Sequence, residues 1–232
     1  MIATDVRSAA ASWRPQLFGD KRAASIPDPL VEPLWTGPRI LVLIDGSTVT
    51  LIDDEGQSIE DHPEIVDAMR ESAGGAIALL EAFLTPEPIQ SLAAIADRET
   101  VTAPKLSDAM TQMIIGTRGD RNDRLAKQRE EDRRRTVEGA DERVALVAVD
   151  LLWLDDDPLF DVPLLERKRI LESVLVENDL VRVGIHIRPP IDAWLGSWRS
   201  FGFRRIAFKA ANSRYIPGAK NQEWATAAIP ER

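Results

Sequence analysis

The sequence lacks several residues and patterns on which common chemistries depend. It contains no cysteine among its 232 residues, which excludes disulfides, thiol nucleophiles and cysteine-ligated zinc. Its two histidines, His62 and His186, lie far apart in the sequence and do not predict a metal site. No apolar run approaches the roughly 20 residues of a membrane-spanning helix, and the first residues lack the apolar core of a signal peptide. We therefore expect a cytoplasmic protein without a membrane partner.

Sequence motifs for phosphate-binding loops and for serine hydrolases are also missing. The Walker loop GxxxxGK[ST], the dinucleotide motif GxGxxG and the nucleophile elbow GxSxG do not occur in the sequence. The sequence therefore does not predict a P-loop nucleotidase, a Rossmann dehydrogenase or an α/β-hydrolase.

Basic residues are in the minority. Lys and Arg total 29 against 38 Asp and Glu, which gives a net charge of -9. Because a nucleic-acid duplex is a dense line of negative charge, proteins that bind it alone usually carry surplus basic residues. We therefore predict weak or no DNA binding by this chain alone. One candidate basic patch lies near the carboxyl terminus and consists of Arg199, Arg204, Arg205, Lys209, Arg214 and Lys220.

The hydrophobic pattern predicts one mixed domain over residues 31–232, preceded by an irregular lead-in over residues 1–30. Strands and helices interleave with a hairpin signal, which favours an α+β fold with antiparallel sheets over a doubly wound fold. The expected elements are a hairpin at 39–52 around Asp45-Gly46, buried strands at 76–85 and 144–154, helices at 63–70 and after Pro163, and final strands at 206–208 and 224–229.

Residues 104–143 are heavily charged and have a helical pattern. Acidic and basic residues alternate there, so a solvated helical insertion within the domain is favoured over a nucleic-acid contact.

Several segments resemble motifs of one enzyme family. Residues 32–39 have the sequence EPLWTGPR, which resembles the EPKxDGxR sequence around the nucleotide-attaching lysine of ATP-dependent DNA ligases. Each segment is common by itself, and their order and spacing over roughly residues 28–229 carry the resemblance. The other segments are HPEI at 62–65, VDLLWLD at 149–155, PLLERK at 163–168, SRYIPG at 213–218, and Trp224, which matches the tryptophan that opens the family's last motif in this domain.

This resemblance implies the nucleotidyltransferase fold of DNA ligases and mRNA capping enzymes. That fold has two antiparallel sheets flanked by helices, with a nucleotide cleft between the sheets. The chain ends where the last motif of the domain falls, so we expect no carboxyl-terminal OB-fold domain.

The resemblance also implies that the reaction has been lost. In the family, a lysine amine attacks the α-phosphate of ATP. Leu34 occupies the lysine position and has no lone pair to donate, and Thr36 occupies the position of the acid that follows.

Other residues that bind the nucleotide or the metal in the ligase family are also replaced in this sequence. The acids that replace an arginine would repel a triphosphate, and an arginine at a metal-ligand position offers no oxygen to magnesium. Asp53, Asp54 and Glu55 replace an arginine of the hairpin turn, and Arg204 replaces the metal-site glutamate. Phe83 replaces another glutamate if the segment Glu81-Ala82-Phe83 is aligned as written, an alignment that can shift by one or two residues. Thr226 and Ala228 replace two phosphate-binding lysines.

The positions that keep their type are Glu32, Arg39, Asp150, Lys209 and Trp224. We interpret them as a remnant of the cleft whose residues are more often kept for capping turns and filling cores than for binding a nucleotide.

The leading hypothesis is a catalytically inactive ligase-like domain that serves as a binding or scaffold module. It would need no cofactor, would bind a protein partner or a second copy of itself, and would act in DNA repair, a setting that only the resemblance implies. Two alternatives stay open. One is an active ligase or nucleotidyltransferase that uses ATP, magnesium and a displaced lysine such as Lys209. The other is a non-covalent nucleotide sensor.

Overall fold

Residues 5–30 contain regular structure, so the expectation of an irregular lead-in is wrong for them. The computed structural model describes residues 5–86 and 144–230, and the charged insertion at 104–143 lies outside this range. The elements of the amino-terminal segment are helix α1 (Val6–Ser12), strand β1 (Leu17–Phe18) and a 3₁₀ turn (Ala23–Ser25).

Helix α1 forms because a cap and a run of alanines outweigh the missing periodicity. The Asp5 side chain accepts a hydrogen bond from the backbone N–H of Ser8 at 2.8 Å, which satisfies one of the free donors at the start of the helix. Ala9, Ala10 and the following Trp13 are buried. The segment is therefore part of the core.

The larger sheet contains seven of the described strands, in the order β5-β4-β3-β6-β7-β8 with β9 beside β7. Neighbouring strands are antiparallel except β7 and β9, which are parallel. Gly46 in the β3–β4 turn has a φ of 63°, which glycine adopts without steric cost. The strands are β3 (Arg39–Asp45), β4 (Thr48–Ile52), β5 (Ser58–Ile59), β6 (Ile77–Thr85), β7 (Ala145–Leu154), β8 (Asp157–Pro158) and β9 (Val181–Val183).

A smaller sheet of three described strands has the order β12-β10-β2, and both of its pairings are antiparallel. The pairing of Ala207 with Glu32 and of Lys209 with Trp224 brings three separate sequence motifs side by side. Its strands are β2 (Pro29–Pro33), β10 (Arg205–Ala210) and β12 (Trp224–Ala228), and β11 (Lys220–Asn221) pairs in parallel with β1.

Three further helices are described: α2 (Pro63–Ala73), α3 (Leu164–Val174) and α4 (Asp192–Ser200). Helices α2 and α3 are confirmed where the sequence predicts them. Both begin next to a proline, whose fixed φ suits the first turn and whose missing N–H has no partner to lose there.

Strand β3 is apolar on both faces because both faces of the larger sheet are covered. Ile40, Val42 and Ile44 pack into one core cluster with α2 and the middle of α3. Leu41 points the other way and packs with Trp13 of the amino-terminal segment in a second cluster, which also contains residues of the smaller sheet. The two-sheet α+β fold with flanking helices is therefore confirmed. No helix in the described ranges is long and apolar enough to cross a membrane.

Candidate ligand pocket between the two sheets

A small pocket lies where the two sheets face each other. Its free volume is about 20 Å³, which holds about one water-sized group. A nucleotide is much larger than this enclosed space, so most of a nucleotide would have to lie outside it. The lining residues are Phe18, Glu32, Pro33, Leu34, Trp35, Arg39, Glu81, Phe83, Val149, Ala207, Lys209 and Trp224.

Glu32 lies between two lysines. The Lys168 Nζ is 2.7 Å from Glu32 Oε1, and the Lys209 Nζ is 2.9 Å from Glu32 Oε2. Burial raises the pKa of the Glu32 carboxyl, but the two ammonium charges together outweigh burial and hold that pKa at about 2. Glu32 is therefore ionised at neutral pH.

Lys209 also lies above an aromatic ring, with its Nζ 4.3 Å from the centre of the Trp224 ring. Burial lowers the pKa of the Lys209 amine, the charge of Glu32 raises it, and the charge of Lys168 lowers it again. The net direction is downward, with burial as the largest cause and the charge of Lys168 as a smaller one.

A second buried network joins the pocket to the amino-terminal segment. Glu81 accepts hydrogen bonds from the Arg39 guanidinium and from the Tyr215 hydroxyl. The Tyr215 oxygen in turn accepts from Trp13 Nε1 at 3.0 Å and from the Gln16 backbone N–H at 3.2 Å. Burial and the charge of Glu81 raise the pKa of Tyr215 well above its usual value, so this hydroxyl keeps its proton and acts as a donor to Glu81.

Asp150 is not a pocket residue, which corrects the remnant set. It is fully buried and forms a two-pronged ion pair with Arg167, with Asp150 Oδ1 and Oδ2 each 2.8 Å from a guanidinium nitrogen. Arg167 also donates to the backbone carbonyl oxygens of Val162 and Ser213. Asp150 therefore ties α3 to β7. The other four residues, Glu32, Arg39, Lys209 and Trp224, do line the pocket.

Leu34 and Phe83 lie at the pocket, as their alignment with ligase positions predicts. Leu34 follows β2 and is half-buried, while Thr36 is exposed and does not line the pocket. Glu81 and Phe83 lie two residues apart on β6, with both side chains at the pocket. The pocket wall therefore presents the apolar Leu34 where the resemblance calls for a nucleophile, and Glu81 lies at the pocket within the register of one or two residues allowed for the family's glutamate.

The other replaced positions do not line the pocket. Arg204 and Ala228 are exposed, and the Thr226 hydroxyl accepts a hydrogen bond from Arg205. Asp53 accepts hydrogen bonds from the backbone N–H groups of its own turn, Glu55 at 2.9 Å and Gln57 at 2.8 Å. The predicted repulsion between residues 53–55 and a triphosphate therefore has no support in the geometry, because these acids form a structural turn elsewhere.

The candidate basic patch loses one member and is partly neutralised. Lys209 is 4% exposed and belongs to the pocket, so its assignment to a surface patch is wrong. Lys220 pairs with Asp20 at 2.7 Å, and Arg214 lies 3.2 Å from Asp161. What remains is Arg199, Arg204 and Arg205, of which Arg199 donates to the backbone carbonyl of Pro230.

We expect binding to nicked duplex DNA to be weak at physiological salt, with a Kd no tighter than the non-specific range of about 10⁻⁴ to 10⁻⁶ M. The reason is the net charge of -9 and the pairing of the patch with acids. Fluorescence anisotropy across a salt series measures this, and the double variant Arg204→Glu/Arg205→Glu should abolish any binding seen at low salt. Tight, nick-selective binding would contradict the prediction.

Three residues at or beside the pocket were not singled out from the sequence: two of them line the pocket, and the third contacts Glu32 from outside the lining. They are Phe18, which contacts the Trp224 ring at a centroid distance of 5.9 Å, Trp35, which packs edge-on against Phe203 at 4.9 Å, and Lys168. Lys168 had a signal, because it lies four residues after Leu164 and three before Leu171 on the apolar side of the predicted helix. A lysine at such a position indicates a buried partner.

The two histidines lie in separate places, each with a glutamate 3.6 Å from its Nδ1: Glu64 for His62 and Glu172 for His186. Within residues 5–86 and 144–230, no group of three or more His, Asp and Glu side chains is arranged to hold a metal ion.

Comparison with known proteins finds similarity in structure and none in sequence. No protein-family model matches the chain, and no curated protein matches it. The ligase domain of LigD from M. tuberculosis superposes with a TM-score of 0.62 at 21% identity, over 94% of this chain and 60% of that one. A mycobacterial DNA ligase D complexed with ATP and MES gives 0.58 at 21% identity, over 92% and 59%.

A Lig E DNA ligase is also similar, with a TM-score of 0.52 at 10% identity over 93% of this chain and 68% of that one. The chain therefore has the fold of DNA ligase nucleotidyltransferase domains. It spans about 60% of the length of the two ligase D chains.

Proposed function

We propose that this chain is a non-catalytic ligase-like module that binds a protein partner or a second copy of itself and does not transfer adenylate. One observation carries the proposal: Leu34, which the resemblance aligns with the nucleophile, lines a pocket whose charged side chains are paired with one another. The similarity of fold to DNA ligase domains supports a DNA-repair setting for this module, and the absence of cysteine supports a cytoplasmic one.

The pairing matters because a binding site for a charged ligand keeps charges available to that ligand. Here Lys209 contacts Glu32, and Arg39 contacts Glu81. A triphosphate could contact these two basic side chains only by separating them from their carboxylates, which would leave buried acids without partners. The pocket therefore favours its own ion pairs over a nucleotide.

Intact-mass spectrometry after incubation with ATP and magnesium, and separately with NAD, tests the proposal. We expect no increase in mass by an adenylyl group with either nucleotide, because leucine cannot attack the α-phosphate. An adduct stable to denaturation and mapped to any lysine would overturn the proposal.

A second candidate function, adenylation through a displaced lysine, is favoured by one observation. Lys209 lines the pocket, and burial lowers the pKa of its amine, which increases the fraction of neutral nucleophile at pH 7. The same spectra decide between the two, since this candidate requires an adduct on Lys209 that the variant Lys209→Met lacks.

A further inference from the structure

Two buried amines share one carboxylate at the edge of the pocket. The side chains of Glu32, Lys168 and Lys209 are 5%, 1% and 6% exposed. One carboxylate balances one ammonium, so the three groups together carry an excess positive charge when both amines are protonated. An unbalanced charge with so little access to water is strongly disfavoured, and a buried lysine relieves it by losing its proton.

The other charged groups that face Lys209 do not remove this excess. Glu81 is paired with Arg39, and Asp150 is paired with Arg167. The ring of His186 is neutral at pH 7, because burial and the nearby Lys168 lower its pKa. The Trp224 ring, 4.3 Å from the Lys209 Nζ, attracts a charged amine and therefore acts against proton loss, as the carboxylates do.

Lys209 is the amine that a ligand can reach. It lines the pocket, whereas Lys168 does not. A neutral amine with a lone pair beside a cavity is a nucleophile toward small electrophilic carbon, and the cavity of about 20 Å³ limits the electrophile to a few heavy atoms.

We propose that Lys209 is a nucleophilic amine that condenses with a small aldehyde in the pocket to form an imine. The nitrogen lone pair forms a bond to the carbonyl carbon, and the carbonyl π electrons move to the oxygen, which takes up the proton that the attacking nitrogen gives up. The resulting carbinolamine loses its hydroxyl group and the nitrogen-bound proton as water, and the C=N bond forms. The balance is amine plus aldehyde to imine plus water, with no oxidant or reductant.

Glu32 is the positioning residue for this step, since its Oε2 lies 2.9 Å from the Lys209 nitrogen and accepts its N–H. The inference does not rest on the proposed function, because an imine requires neither a nucleotide nor an adenylyl group. The prediction of no adenylation and the prediction of imine formation can therefore be confirmed or contradicted independently of each other.

The test is reductive methylation of the whole chain at pH 7 with substoichiometric formaldehyde and cyanoborohydride, followed by peptide mapping. We expect more label on Lys209 than on the exposed Lys21 or Lys220, because each unit by which the pKa of an amine is lowered gives about ten times more neutral amine. The labelling rate of Lys209 should also reach its midpoint at a lower pH than that of Lys21. Label on Lys209 no greater than on Lys21, at all pH values, would overturn the proposal.

The variant Lys168→Met tests whether the second buried amine is the cause of the reactivity of Lys209. With one amine per carboxylate, the neutral fraction of Lys209 should fall and its labelling should fall toward that of the surface lysines, while the control Lys21→Met leaves the labelling of Lys209 unchanged. Unchanged or increased labelling of Lys209 in Lys168→Met would overturn the account. If thermal melting shows that Lys168→Met does not fold, the pH profile of Lys209 in the parent chain decides the question alone.

Discussion

Replacing Asp150 with alanine will lower the free energy of unfolding by about 3–5 kcal/mol, the usual cost of removing one partner of a buried ion pair. Both side chains of the Asp150–Arg167 pair are 0% exposed, so the variant leaves a guanidinium buried without its carboxylate. In a protein of this size the loss corresponds to a fall in Tm of about 6–20 °C. Thermal and urea unfolding measure it.

Two further variants test whether the stability loss comes from the Asp150–Arg167 ion pair. The exposed Asp156, in the turn after β7, provides the control, because Asp156→Ala should change the free energy of unfolding by less than about 0.5 kcal/mol. The double variant Asp150→Leu/Arg167→Met should be more stable than either single variant, since no unpaired charge is left. A double variant that is no more stable than Asp150→Ala would contradict the assignment of Asp150 to structure.

Leu34→Lys will not restore adenylation, although it returns an amine to the nucleophile position. Attack requires a phosphate held in line and neutralised. The pocket instead has about 20 Å³ of enclosed space, with Phe83 in its wall and Lys209 bound to Glu32. The new amine would also lie near the Arg39 guanidinium and the Lys209 amine, so we expect a stability loss of about 1–3 kcal/mol.

The measurement for Leu34→Lys is labelling with radioactive ATP beside the parent chain, together with thermal melts. Leu34→Met is the matched control, because an apolar replacement of similar volume should cost less than about 1.5 kcal/mol. Robust labelling of Leu34→Lys would show that the pocket opens for ATP and that a single replacement silences an otherwise intact site.

The strands and helices of the domain could largely be predicted from the sequence, because local signals and tertiary packing agree there. The Asp45-Gly46 turn, the apolar run of β7 and the proline before α3 each correspond to an element of the structure. Helix α1 was missed, because its burial depends on partners distant in sequence, such as the Trp13–Tyr215 contact. Its local signal is only one cap and three consecutive alanines.

The site could be predicted only in part, because motif order locates backbone positions and not the partners of side chains. Glu32, Arg39, Lys209 and Trp224 meet at one pocket as the resemblance implies. The burial of Lys209 depends on the pairing of β10 with β2. The ion pair between Asp150 and Arg167 depends on the packing of α3. A count of basic residues near the carboxyl terminus therefore mistook a core lysine for a surface one.

The charged residues of the pocket bind one another, and we predict that they leave no site for ATP. Isothermal titration calorimetry of the whole chain with ATP and magnesium tests it most directly. The account predicts no heat beyond dilution up to millimolar ATP, and no rise in Tm under the same conditions. Saturable binding with a Kd tighter than about 1 mM, equivalent to about -4 kcal/mol, that is lost in Lys209→Met would contradict it.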